Sequence, residues 1–341
     1  MSLPSAFTVH KLDYMNIGLI LFSMVLAFII PFELFLFAYG VLGPLHYLTE
    51  ISWLHDKNYY STDRRDVILL VIVSLLLTII NLKIYIPIVK DLDFGQPEAV
   101  QTFTNQIIFI AFASSVFFAF IKNRMLKIAG VVLVILLSAI AEHFILFFTV
   151  FLPTLVHVFL FTWLFMLYGA LKNRSVPGYV SVFLMALVPF VLFYIFPGKQ
   201  VIPISNYGRT SYQGFQQLNQ IILLKVANPS SQENLIDMVY HSSIGIALMR
   251  FIAFAYTYHY LNWFSKTKVI GWHEIPRSRA IFIVVLWVIS LVLYGIDYAL
   301  GFKWLFLLSF MHVMLEFPLN YISFVGIFRE LGGNKLKTST T

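Results

Sequence analysis

The sequence predicts an all-α, polytopic transmembrane helical bundle of nine or ten spans. Three observations predict it. Mean hydropathy is +0.84 and 60% of residues are hydrophobic. Only 11% are charged, whereas a soluble domain carries about 25%. Apolar runs of the roughly 20 residues needed to cross a hydrocarbon core recur along the whole chain. Residues 1–331 read as one transmembrane domain and Gly332–Thr341 as a disordered tail.

The stretch Met15–Leu54 is too long for one crossing. It reads either as a span ending near Gly40 with an interfacial helix after it, or as two spans turning near Pro31. Lys11 and Asp13 precede it without a small-residue cleavage site, so the first span is expected to stay as an anchor. Asp66–Ile86 and Thr104–Ile121 follow as single spans. Lys127–Leu171 has 45 residues, or about 67 Å as a straight helix. Basic residues flank both ends, which predicts a helical hairpin turning near Pro153. Pro177–Phe196, Met238–Asn262, Ala280–Ala299 and Phe302–Ile327 complete the set. Between Gly198 and Asp237 runs the one long polar connection, rich in Asn, Gln and Ser. A plain loop is favoured there over a lid.

Basic residues orient a membrane chain. In the nine-span reading fifteen of them, including Lys57, Lys127, Lys172, Arg174, Lys266 and Lys268, fall on one side. Seven, including Lys11 and Lys199, fall on the other. This predicts an integral protein of a bacterial cytoplasmic membrane with its C-terminus in the cytoplasm. The net charge of +7 then reflects orientation and anionic membrane lipid, and no nucleic-acid module is present. The oligomeric state is left open. The chain has no cysteine, which excludes disulfides, thiolate catalysis, iron–sulfur clusters and Cys-based zinc sites.

Six of the nine histidines lie in or beside apolar runs: His46, His143, His157, His241, His259 and His312. Ionisable groups are costly in hydrocarbon, so each is a functional candidate. His46 with Glu50, Asp237 with His241 and His312 with Glu316 are four residues apart, on one helix face. His143 follows Glu142. The sharpest motif is Leu42-Gly43-Pro44-Leu45-His46-Tyr47-Leu48-Thr49-Glu50, in which Gly43-Pro44 is expected to end one helix and start the next. His259-Tyr260-Leu261 repeats His46-Tyr47-Leu48. His241 and His259 share a face but lie about 27 Å apart along a straight helix, so one centre takes both only if the helix breaks near Ser242, Ser243 and Gly245. Arg250 lies between them and reads as a binder of a carboxylate or an anionic substrate. His10, His55 and His273 read as interfacial or solvated.

With no cysteine, the candidate metal ligands are His46, His143, His157, His241, His259 and His312, and Glu50 and Glu316 are the candidate catalytic carboxylates. The expectation is that His46, His241 and His312 converge. Non-haem iron is favoured over zinc, and haem is suggested only by the 14-residue spacing of His143 and His157. The function expected is a His/carboxylate metalloenzyme acting on a lipophilic small molecule. The alternatives are a proton-coupled transporter using the same groups as a relay, a haem-binding subunit, or a structural subunit.

The His-x-x-x-acid spacing of His46/Glu50 and His312/Glu316 in a membrane bundle distantly resembles the Brp/Blh-type membrane carotene dioxygenases. The His-Gly-Ala-Leu-Asp wording of that family is absent, and the resemblance covers these two sites and the architecture. It implies a non-haem iron oxygenase without implying carotene. The Leu42–Glu50 stretch also looks like a signature of uncharacterised bacterial membrane proteins. Histidine boxes of desaturases, His-Glu-x-x-His and paired Glu-Glu motifs are all missing.

Overall fold

A computed structural model describes residues 6–81, 97–139, 147–195, 198–227 and 232–332. Every regular element among them is helical. Among the described residues seven helices are long and apolar enough to cross a membrane, or eight if one bent pair counts as a single span. The sequence expectation of nine or ten spans draws in part on stretches outside the described residues. His143, Glu142 and the tail beyond Gly332 also lie outside them. The described residues group into two compact units, the first from Met1–His46, Val158–Gly301 and Gly326–Thr341, the second from Tyr47–His157 and Phe302–Val325.

In the first unit, α1 (Ala6–Ile29) ends where Pro31 opens α2 (Pro31–Phe37). Proline fits a first helical turn because its missing N–H has no intrahelical acceptor there. The break therefore falls where the two-span alternative puts it. A second expected break does not occur. A wide π-helical turn over Ala38–Leu42 joins α2 directly to α3 (Gly43–Asp56). The wider turn absorbs the register change that Pro44 would otherwise force on the helix. Its inner wall is tight, since a side chain on Gly40 would sit 3.4 Å from Tyr294 and Tyr298.

The segment expected to turn back at Pro153 instead runs on as Phe147–Phe161 into α7 (Thr162–Asn173). Only Thr154, at φ −113° and ψ −105°, leaves helical geometry. Proline in a helix interior removes one hydrogen bond and clashes with the preceding turn, which kinks the chain without reversing it. Ser175 caps α8 (Val176–Phe190) by accepting the Gly178 N–H at 3.2 Å, and Pro177 sits in its first turn.

The polar stretch between Gly198 and Asp237 is not a plain loop. It holds α9 (Asn206–Tyr212), α10 (Gln216–Val226) and α11 (Gln232–His241). Tyr212, Asn219 and Leu223 are buried, and the Tyr212 hydroxyl donates to Asn219 Oδ1 at 2.6 Å. The Tyr212 ring packs edge-on against Phe32 and Phe35 of α2. The small apolar content of this stretch misled the sequence reading, because a few well-placed anchors suffice to fold it onto α2.

The helix carrying His241 does break. α11 and α12 (Ser243–Ser265) meet at a bend of 67°. Ser242 caps α12 by accepting the Gly245 N–H at 3.0 Å and donates to Met238 O at 2.6 Å. Only glycine fits at 245, where a Cβ would lie 1.9 Å from Met238 O. α13 (Thr267–Ile270), α14 (Arg277–Ile296) and the first turn of α15 (Tyr298–Leu331) close this unit.

The ends of the unit can be read from its polar contacts. Ser175 donates to Asp13, and Asp13 is an electrostatic neighbour of Lys266. Lys11, Arg174 and Lys266 therefore share one end. At the other end Ile202 N–H bonds Ile29 O. The nine-span reading had put Lys11 opposite Arg174 and Lys266. Two crossings within Met15–Leu54 remove that conflict.

In the second unit α4 (Arg64–Asn81), α5 (Pro97–Phe120) and α6 (Arg124–Ser138) accompany α3 and the middle of α15. Asn123 caps α6 through the Met125 and Leu126 N–H groups. Lys127, a basic residue flanking a span in the sequence, is buried against Asp66, which also accepts from Ser61.

Candidate functional site

In the first unit two histidines meet in the core. His46 comes from the first turns of α3 and His259 from the last third of α12. Their Nε2 atoms are 3.0 Å apart, and the rings are nearly perpendicular. His46 is 1% exposed and His259 8%. Thr162, at the start of α7, places its hydroxyl 2.7 Å from His259 Nδ1. If Thr162 accepts the Nδ1 proton, the His259 Nε2 lone pair points at His46. The tautomer of an imidazole is set by the bond its other nitrogen makes. Tyr260 and Trp263 wall the site, with ring centroids 5.1 and 5.5 Å from His46. His46, the first residue of one His-Tyr-Leu tripeptide, thus lies against both His259 and Tyr260 of the other.

The second unit holds further buried candidates. His157 Nδ1 lies 3.2 Å from Glu316 Oε2, and both side chains are almost wholly buried. The His312 ring stacks on Tyr47 at 4.1 Å and lies 5.2 Å from His157. One turn beyond that stack on each helix, Glu50 and Glu316 are electrostatic neighbours. Asn320 continues the His312–Glu316 face of α15 and is buried with no hydrogen-bond partner for its carboxamide.

The remaining candidates lie elsewhere. His241 was expected beside His46, but its side chain is 55% exposed. It meets Arg209 at 2.9 Å and Asp237 at 3.8 Å. The bend at Ser242 swings α11 against α9 and α10, so the face shared by residues 241 and 259 of a straight helix no longer exists. His259 holds the place beside His46 that was expected of His241. Arg250 was expected to hold a carboxylate or an anionic ligand. Its guanidinium donates instead to Phe28 O at 3.2 Å and Lys199 O at 2.9 Å, over the Phe28 ring. It ties the last turn of α1 to the connection after α8. His10, His55 and His273 are exposed.

Thr162 had no sequence signal, since one threonine in an apolar run is unremarkable and its partner is 97 residues away. Tyr258, Asn262 and Ser265 of α12 recur at helical spacing in the sequence, a signal masked by the apolar residues between them. No protein-family model, curated protein or solved structure matches the chain.

Proposed function

We propose that this chain is a membrane-embedded His/carboxylate metalloenzyme acting on a lipophilic small molecule. One observation carries the reading: the Nε2 atoms of two buried imidazoles lie 3.0 Å apart. Two nitrogens each bound about 2.1 Å from one ion would be about 3.0 Å apart at right angles and about 3.4 Å apart at tetrahedral angles. The spacing is short enough for one ion to be bound by both nitrogens, and we favour non-haem iron over zinc for the His and carboxylate donors of this core. His46 and His259 are the ligands assigned, with Thr162 orienting His259. Such an ion supplies open positions for dioxygen or water. The aromatic walls made by Tyr260 and Trp263 suit an apolar substrate arriving from the bilayer. In the second unit, His157, Glu316 and Glu50 are assigned to holding and moving protons.

Several apolar helices support an integral membrane location. We place the end bearing Lys11, Arg174 and Lys266 in the cytoplasm of a bacterial cell, with the C-terminus on that side, because basic residues concentrate there.

The test is metal content per protein after purification without chelator. His46→Ala and His259→Ala should lose the metal, while the exposed His10→Ala should keep it. Equal metal in all three, or none in the wild type, would sink the reading. The proton-coupled carrier then takes its place, supported by the unbroken Thr162–His259–His46 hydrogen-bonded chain.

A further inference from the structure

Along α12 the polar residues Tyr258, Asn262, Ser265 and Lys266 form a stripe that faces Asp13 and Asn16 on α1. The Tyr258 hydroxyl lies 3.3 Å from Asn16 Oδ1 and 3.2 Å from Met166 Sδ. Ser265 Oγ also reaches Asn16 Oδ1 at 3.3 Å. Asp13 acts electrostatically on both Tyr258 and Lys266. Tyr258 is 0% exposed, Asn16 3% and Asn262 7%. Asn262 Oδ1 has no hydrogen-bond partner. Asn262 lies three residues after His259 and four after Tyr258, so on the helix it sits one turn on and between them in direction. Thr162, which touches His259, lies one turn before Met166, which touches Tyr258. The stripe therefore starts at the half-buried Lys266 beside Asp13 and ends against His259.

Burying this many polar groups between apolar helices costs free energy that packing alone would not ask for. We propose that the stripe is a water-filled path carrying protons between the Asp13/Lys266 end and the His259–His46 pair. The Tyr258 hydroxyl passes a proton by donating one and accepting one. Asn16 and Asn262 do not change charge; they hold the water molecules that carry it. Each proton taken up by His259 replaces one that it gives up along the same path, so its charge is unchanged, and Lys266 or water exchanges the released proton with bulk solvent. Burial lowers the Lys266 amine to about 8, and Asp13 opposes the shift, so Lys266 both holds and releases a proton near neutrality. The path serves the site assigned above, and it stands whether that site binds a metal or relays protons.

The alternative role for the same residues is holding helices together, and the two roles predict opposite signs. The probe is D2O. The rate at which the His259 imidazole N–H exchanges would be followed by nitrogen-15 magnetic resonance in detergent-solubilised full-length protein labelled at histidine. The signal would be assigned by its loss in His259→Gln. Tyr258→Phe and Asn262→Leu should slow this exchange at least tenfold, and Asn262→Gln should restore most of it. Exchange that is unchanged or faster in both variants would overturn the path, because loosened helices admit solvent more readily. A variant that misfolds would show faster exchange at every histidine, and Ser265→Ala, which leaves Asn16 with Tyr258, then serves as the milder probe, with slowing expected. Metal retention in His259→Ala is independent of these rates, so failure of the path and failure of the metal centre are separable.

Discussion

Thr162→Val deletes the hydroxyl that meets His259 Nδ1 at 2.7 Å and nearly preserves the shape of the side chain. Thr162 is 2% exposed and His259 8%, so water cannot readily replace the lost partner. Without the hydroxyl the His259 ring can adopt the tautomer whose Nε2 carries the proton, and that nitrogen no longer binds an ion. Loss of an outer partner of a ligating imidazole typically lowers metal affinity about 10–100-fold. At about 1.4 kcal/mol per tenfold, this is about 1.4–2.7 kcal/mol. The assay is anaerobic titration of metal-free protein with cobalt(II), as a coloured stand-in, and iron(II), with dissociation constants from visible absorption. Thr162→Ser should bind like the wild type and His259→Ala should not bind. If Thr162→Val binds as tightly as wild type while His259→Ala does not bind, the hydroxyl does not set the tautomer. If His259→Ala binds normally, the pair is not a metal centre.

Four further outcomes follow from the geometry. Arg250→Met removes the donor to two carbonyls, those of Phe28 and Lys199, and should cost about 1–3 kcal/mol of unfolding free energy in a denaturant titration; Arg250→Lys should rescue only part, because an ammonium lacks the guanidinium fork. Lys127→Met leaves Asp66 as an uncompensated buried charge and should cost about 3–5 kcal/mol, while the double variant with Asp66→Asn should recover much of it in the same assay. Lys266 should be acylated by an amine-selective reagent with a midpoint near pH 8, below the roughly 10.4 of free lysine. The linked stability should rise between those two values, where the unfolded chain binds more protons than the folded one, and a midpoint near that of free lysine would refute its burial. Trypsin should cut at Arg209 and Lys225 slowly, because α9 and α10 are packed through Tyr212 and Leu223, and Tyr212→Ala should speed cleavage at both.

The sequence by itself determined the class of the molecule and the cost structure of its core. Composition and apolar run length pointed to an integral membrane protein, and seven helices among the described residues are long and apolar enough to cross a membrane. The same cost argument marked His46, Glu50, His157, His259, His312 and Glu316 as residues needing explanation, and all six are buried. The break at Pro31 was also legible as one of two alternatives, because proline acts on its own helix turn. Tertiary structure decided what depends on distant neighbours. Whether Gly43-Pro44 ends a helix depends on a π-helical turn upstream that local propensity does not encode. Whether Pro153 turns the chain back or only kinks it depends on what packs beyond it. His241 and His259 carry the same spacing signal, yet the bend at Ser242 sends one to the surface and leaves the other against His46. Thr162 became part of the site only through a contact spanning 97 residues. Periodicity reports which face of a helix a side chain occupies, but only packing between helices decides what that face meets.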